Sequence, residues 1–315
     1  MEGKLTSRQY AAAVRFAFWS GSDKESLINV LRVPRSERYR LRLQRKRSGG
    51  FRQISVPIDP LKELQRIMVD GRLRALPVSD IAHGSMTGRS IISHIVPHLG
   101  SRSLLSMDFE DAVKMAGSAW CSNGFNSLGI LRTLDIDRAM LEILKELTGL
   151  GGALPQGAPT SPMIFNYLCS NVDRKLIRLA EHVGGTVTRY VDNVDFSMPG
   201  PTIDQPILNA VPRIIYRCGF EVNRKKTSYL PDGNREGRPL RMLGLNLQSE
   251  ELKFGQRRLR HLRLLAYGAG LARDTAAWRG ICSFCLQVEG QVHPQLASAF
   301  EKGFRRSEGD PLEDS

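Results

Sequence analysis

Two short acidic stretches carry the groups that could do chemistry. In TVTRYVDNVDFSM, residues 186–198, a tight turn at Val191, Asp192 and Asn193 joins two short strand-like arms. The second arm alternates, with Val194, Phe196 and Met198 apolar and Asp195 and Ser197 polar between them. That period of two marks a half-buried strand. Upstream, RSLLSMDFEDAV (102–113) ends an apolar run at Asp108, with Asp111 three residues on. If that run is a strand beside the hairpin, Asp108 and Asp192 converge at one sheet edge. Two convergent carboxylates suit hard divalent cations such as Mg²⁺ and an in-line displacement at phosphorus. The competing expectation is that Asp108 caps a helix opening at Phe109 and Asp192 merely serves a turn.

The elements that must position these acids are legible in outline. SRQYAAAVRFAFW (7–19) reads as an apolar helix, and SDKE (22–25) as a capping box opening a second one that Pro34 ends. In RYRLRLQRKRSGGFRQISVP (38–57), Tyr39, Leu41 and Leu43 alternate with Arg40, Arg42 and Gln44. Ser48-Gly49-Gly50 then turns the chain into a return strand through Phe51, Ile54 and Val56. This flap presents Arg45, Lys46, Arg47 and Arg52, a set suited to clamping a triphosphate. Residues 61–76 are expected to form an amphipathic helix, and His94 and His98, four apart, to share a helix face. As a zinc pair they lack further ligands, so packing or RNA contact is expected of them.

Helices are expected over 112–119 and 135–147. Pro155 and Gly157 then force an extended turn carrying Gln156, and Thr160-Ser161-Pro162 starts one long helix that Gly184-Gly185 stops. After the acidic hairpin come a helix end, a strand and a basic turn (214–230), a polar loop (232–239) and a further hairpin (241–255). From Lys253 to Arg263 the basic residues Lys253, Arg257, Arg258, Arg260 and Arg263 meet no acid, a pattern suited to tracking phosphates.

Composition sets bounds on function. The 315 residues are 41% hydrophobic and 24% charged, ordinary for a globular protein with a sizeable core. The formal net charge of +13 favours a polyanionic partner, nucleic acid above all. No apolar run approaches a membrane span, and the start lacks a signal core, so no membrane association is expected. The five cysteines suggest no disulfide framework. Cys282 and Cys285 read as core thiols of a helix, and the expected location is a reducing cytoplasm.

Taken in order, these motifs resemble a bacterial reverse transcriptase of the retron type, over about residues 37–300. KRSGGFRQISVP resembles its basic fingers hairpin and HGSMTGRSIISHIVPH the segment between fingers and palm. SMDFEDA resembles the first catalytic strand, and LPQGAPTSP is very close to the nucleotide-pocket turn. YVDN stands where the family has Tyr-x-Asp-Asp. GFEVNRKKT resembles the following strand and lysine turn, and MLGLNL the primer-grip hairpin. The resemblance implies an α+β right-hand polymerase with an antiparallel palm sheet packed on helices. Its parts would be an N-terminal helical extension (1–36), fingers (37–100), palm (101–247, with about 113–160 contributing to the fingers), thumb (248–305) and a disordered tail (306–315).

Residue by residue, the resemblance makes Asp108, Asp192 and Asn193 catalytic, with the Phe109 backbone carbonyl completing the coordination of two Mg²⁺ ions, for which Mn²⁺ could substitute. Lys46, Arg52, Asp111, Val113, Gln156 and Lys226 would bind the incoming dNTP. Arg45, Arg47, His98, Lys253, Arg257, Arg258, Arg260 and Arg263 would contact nucleic acid. The implied activity is RNA-directed DNA synthesis on a structured non-coding RNA that is both template and primer, yielding an RNA–DNA hybrid in anti-phage defence. An effector or toxin protein would be a further partner.

Four positions depart from the family pattern. Asn193 replaces an aspartate and removes one negative charge, which predicts weakened activity, partial compensation by Asp195, and a gain of rate on Asn193→Asp. Val113 stands where the family carries a Phe or Tyr gate, which predicts weaker discrimination against ribonucleotides, readable as ATP against dATP incorporation. His94-Ile95 replaces Asn-Ala, and Met242-Leu243-Gly244 replaces Val-Thr-Gly. Two other readings stay open: a defence polymerase making untemplated or repetitive DNA, perhaps from a protein primer, and a polymerase fold weakened by Asn193 that serves as a nucleic-acid-binding scaffold.

Overall fold

The computed structural model describes residues 5–45, 49–121, 127–232, 240–243, 245–247 and 252–308. Lys46, Arg47, the Val113 side chain, most of the 232–239 loop, Gly244 and the tail beyond Glu308 lie outside the described residues.

Two antiparallel strands, β1 (Tyr39–Arg45) and β2 (Phe51–Pro57), form the expected basic flap, with Gln44 opposite Arg52. The central sheet is organised on β3 (Ser103–Glu110), in which Asp108 lies two residues from the end, so the helix-cap expectation for Asp108 fails. On one side β3 pairs with β5 (Asn193–Met198), which returns from β4 (Thr186–Tyr190) through the Val191-Asp192 turn. On its other side β3 pairs with the short strands β6 (Glu221–Val222) and β7 (Ser228–Leu230). A separate small hairpin joins β8 (Arg241–Met242) to β9 (Leu245–Asn246).

The sheet's two faces differ. Leu105, Met107, Phe109, Val194 and Phe196 share one face and lie in the main apolar core. Phe109 stacks on Phe220 at 4.9 Å between ring centres. The other face carries Ser106, Asp108, Asn193, Asp195 and Ser197. The alternation of β5 predicts a half-buried strand, yet Asp195 and Ser197 are 1% and 0% exposed. The reason is a short helix and its 3₁₀ extension, Ile91–His98, whose buried His94 and His98 cover that face and hydrogen-bond its polar groups. Buried polar groups are tolerated when so paired.

In chain order the helices are α1 (Ser7–Ser20), α2 (Lys24–Arg32), α3 (Asp59–Gly71), α4 (Ile91–Ile95), α5 (Ala112–Cys121), α6 (Ser127–Leu134) and α7 (Arg138–Thr148). They continue with α8 (Ser161–Leu168), α9 (Ser170–Val183), α10 (Gln205–Arg217), α11 (Gln256–Leu271), α12 (Thr275–Glu289) and α13 (Pro294–Ser307). Capping boxes lie on α1, between Thr6 and Gln9, and on α4, between Ser90 and Ser93, while α2 is capped by Asp23 rather than Ser22. Phe16 and Trp19 of α1 and Leu27 of α2 join the same core as the central sheet, and Trp19 donates to the Leu134 carbonyl at 2.7 Å. The long helix expected after Thr160 is two helices that meet at Cys169, the second ending at Gly184 with φ 66°. Helices α11 and α13 approach through glycines, since a Cβ on Gly303 would lie 2.2 Å from the Tyr267 carbonyl. Cys285 is buried among Leu259, Leu262 and Leu296, as a core thiol. Among the described residues no helix is long and apolar enough to cross a membrane.

Candidate active site

The acidic turn is held in a conformation that its sequence alone disfavours. Val191 has φ 58°, in the left-handed region that a β-branched residue rarely enters. Such outliers persist only when the surroundings enforce them. Arg189, on β4, donates at 2.7 Å to the Val191 carbonyl and at 2.9 Å to Asn166 Oδ1 of α8. Its remaining donors form a two-pronged pair with Asp173 of α9, both at 2.8 Å, and both side chains are 0% exposed. Gly84 closes the clamp. Its backbone packs so tightly on the turn that a Cβ would lie 2.4 Å from the Val191 nitrogen, and its carbonyl accepts from Asn166 at 2.9 Å.

This clamp aims Asp192 at β3. The Asp192 carbonyl accepts from the Phe109 amide at 2.9 Å, which stitches the turn to the strand beside Asp108. The Asp108 carbonyl accepts from Asn223 at 2.8 Å, drawing in the basic turn after β6. From that turn the Lys226 ammonium reaches Asp108 Oδ1 at 2.8 Å. The two carboxylates expected to converge therefore do so, with Lys226 as the cation between chain and solvent.

The electrostatics are those of a mostly buried carboxylate beside a second one. Burial raises the pKa of Asp192, the Asp108 charge raises it further, and Lys226 and Arg52 oppose both. A carboxylate pair of this kind gains from a cation. Among the described residues no cluster of three or more His, Cys, Asp or Glu could hold a metal ion. The donor set is instead the two carboxylates, with Asn193 opposite Asp108 across the ladder. Its hard oxygen donors and the ammonium already drawn to Asp108 fit a hard divalent cation better than zinc.

Arg52 stands close enough for its charge to act on Asp192. The 155–158 turn is tied to β2, since Ser55 donates to the Gln156 carbonyl at 2.7 Å and Gly157, at φ 110°, lies against Ile54. Gln156 is half-buried there, beside the flap. Asp111 has φ 43° and is exposed at the end of β3, where its carbonyl opens α5. Arg45 is exposed at the end of β1. Lys253, Arg257, Arg260 and Arg263 are exposed in or just before α11.

Two expectations need correction. His98 is not available to nucleic acid: it is 0% exposed, and its ring nitrogens contact Ser197 at 2.6 Å and Thr188 at 2.7 Å. Burial lowers its pKa to about 4, so it is neutral near pH 7. Arg258 is half-buried, its guanidinium 5.3 Å from the Phe284 ring centre, so it packs the C-terminal helices together rather than facing outward like its neighbours. Arg189, Asp173, Asn166 and Gly84 were not found by sequence reasoning. Gly84 alone left a trace, in HGSMTG; an aspartate among the charged residues of a helix gives no sign that it is buried.

The flap, the five-stranded sheet with paired carboxylates at one end of its strands and the C-terminal helices define a right-hand polymerase fold of α+β type. Residues 44–247 match the family of reverse transcriptases (RNA-dependent DNA polymerases), and the chain belongs to that family. It is 32% identical over 266 residues to the retron Mx65 reverse transcriptase of Myxococcus xanthus, covering 80% of this chain and 61% of that one. To the retron Mx162 reverse transcriptase of the same organism it is 32% identical over 213 residues, covering 61% and 44%. The chain thus spans about half the length of these relatives. Among solved structures, telomerase from Candida tropicalis in complex with a TWJ fragment of telomeric RNA aligns with a TM-score of 0.50, 14% identity, 86% of this chain and 53% of that one. At that identity the likeness concerns the fold alone.

Proposed function

We propose that this chain is an RNA-directed DNA polymerase acting on a structured partner RNA, and that it makes a retron-type RNA–DNA hybrid in bacterial anti-phage defence. The observation that carries the reading is the junction of Asp108 and Asp192 under a rigid turn, with Lys226 and Arg52 as the opposing charges. Divalent ions, Mg²⁺ or Mn²⁺, would neutralise the triphosphate and favour in-line displacement at its α-phosphate. Asp108 and Asp192 would hold them, with the Phe109 carbonyl and Asn193. Lys226 would exchange its Asp108 partner for the leaving phosphates, and Arg52 would hold the triphosphate from the flap. Gln156 would touch the sugar from a turn fixed to that flap. With reactants so held, positioning and charge supply most of the catalysis.

The proposal includes the division into fingers, palm and thumb, with Arg257, Arg260 and Arg263 following the template–primer duplex by phosphate contacts. A cytoplasmic location and an effector protein as partner belong to it as well. The test is dNTP incorporation by protein purified with its co-expressed RNA, beside Asp192→Ala. Incorporation that vanishes in the variant supports the reading, and RNase or protease digestion of labelled product then identifies the primer. RNA binding without any incorporation, in Mg²⁺ and in Mn²⁺, would favour the scaffold alternative instead.

A further inference from the structure

Asn193 stands opposite Asp108 across the β3–β5 ladder, and one rung deeper on the same face Ser106 stands opposite Asp195. Asp195 is buried and accepts three hydrogen bonds: from Asn193 Nδ2 at 2.7 Å, from His94 Nε2 at 3.0 Å and from the Ser106 hydroxyl. A carboxylate accepts only, so the Asn193 side chain must present its NH₂ group to Asp195 and turn its carbonyl oxygen away from it. Behind His94 the donors are already committed. Thr188 Oγ1 lies 2.7 Å from His94 Nδ1 and 2.7 Å from His98 Nε2, His98 Nδ1 lies 2.6 Å from Ser197, and Ser101 donates to Ser197 at 2.9 Å. Positions 94 and 193, both departures from the family pattern, therefore meet on one carboxylate.

We propose that Asp195 is a positioning residue for the polymerase site, and that Asn193, Asp195 and His94 form one unit whose negative charge sits at 195 and whose amide must sit at 193. The unit rests on the polymerase reading for its effect on rate, but not for its effect on folding. It reverses the expectation that aspartate at 193 raises activity. A carboxylate there would stand about as near to Asp195 as the Asn193 amide does now, with no spare donor between the two, and buried like charges that close disfavour each other strongly. Asp195 in turn does not substitute for the missing aspartate as a metal ligand, because it is buried one rung deeper and its Oδ2 already accepts from both Asn193 and His94. The swapped pair, aspartate at 193 and asparagine at 195, restores one amide and one carboxylate.

The test compares wild type, Asn193→Asp, Asp195→Asn and the double variant. Melting temperature is measured in metal-free buffer with EDTA, and kcat and KM for dTTP on oligo(dT)-primed poly(rA) in Mg²⁺. Asn193→Asp is expected to melt lower and to lose about tenfold or more in kcat with KM changed by less than about threefold, as for an interaction made chiefly in the transition state. The double variant is expected to recover both, a coupling that two independent sites would not show. Asn193→Asp as stable and as fast as wild type would overturn the proposal, and so would a double variant no better than Asn193→Asp. If Asn193→Asp fails to fold, a folded, active double variant supports the unit and an unfolded one refutes it. If wild type incorporates nothing on this template, kcat is read on the co-expressed RNA instead; if it incorporates nothing there either, in Mg²⁺ or Mn²⁺, the polymerase reading fails while the four melting temperatures still decide the unit.

Discussion

Replacing Arg189 by methionine should expose how much of the site depends on one buried ion pair. The substitution keeps an unbranched apolar stem and removes every donor of the guanidinium. Asp173, at 0% exposure and bonded twice to Arg189, is then left as an uncompensated charge. Breaking a buried pair in this way costs about 3–5 kcal/mol, a large share of the roughly 5–15 kcal/mol that a folded domain possesses. With a urea dependence of about 3 kcal/mol per M, the unfolding midpoint should fall by about 1–1.7 M. The double variant Arg189→Met with Asp173→Leu removes both charges and should recover most of that loss, because an apolar pair can replace a buried ion pair at little net cost. Catalysis should not recover with stability. The Val191 carbonyl and Asn166 lose their Arg189 donor in both variants, so the strained turn that aims Asp192 relaxes. Urea unfolding followed by circular dichroism, with dNTP incorporation on the same preparations, reads both effects. A midpoint shift below about 0.3 M for Arg189→Met, less than the ~1 kcal/mol of an ordinary substitution, or a double variant that recovers full activity, would refute the reasoning.

Gly84→Ala should lower incorporation more than stability, since its Cβ would sit 2.4 Å from the Val191 nitrogen and must push the catalytic turn; the overpacking should cost about 1–3 kcal/mol, and an unchanged kcat would count against the clamp. Stability should also depend on pH through His98. Burial holds its pKa at about 4, against an ordinary imidazole value of about 6.5, so between those values the unfolded chain binds the extra proton. Stability is therefore full above about pH 6.5 and is lost as pH falls towards 4, by up to about 3 kcal/mol from this residue. His98→Gln should flatten that slope in urea titrations at several pH values, whereas an unaltered slope would show that His98 titrates normally.

Local signals carried much of the outline. Alternating side chains marked β1 and β5, an apolar run marked β3, the turn at Gly49-Gly50 implied the return strand β2, and glycines and prolines marked the flap turn, the Gln156 turn and the end of α9 at Gly184. These follow from short-range sterics and periodicity, which any window of sequence displays. The meeting of Asp108 and Asp192 was also legible, because each closes an apolar strand and strands of that kind seek one sheet. The limits appear wherever burial is decided by a distant segment. Alternation shows that Asp195 and Ser197 share a face, but not that His94 and His98 cover it from about a hundred residues away. A helix over 161–183 satisfies every local rule, yet the chain breaks at Cys169 to fit the core. The ion pair of Asp108 with Lys226 joins residues 118 apart. Arg189 and Asp173 look like surface charges until the fold removes them from water. Sequence thus determined which residues could do chemistry and the backbone that presents them. Only tertiary structure decided which charges are paired, which polar groups are buried and how the catalytic turn is held, because desolvation and partner choice depend on what packs above a residue rather than on its neighbours in the chain.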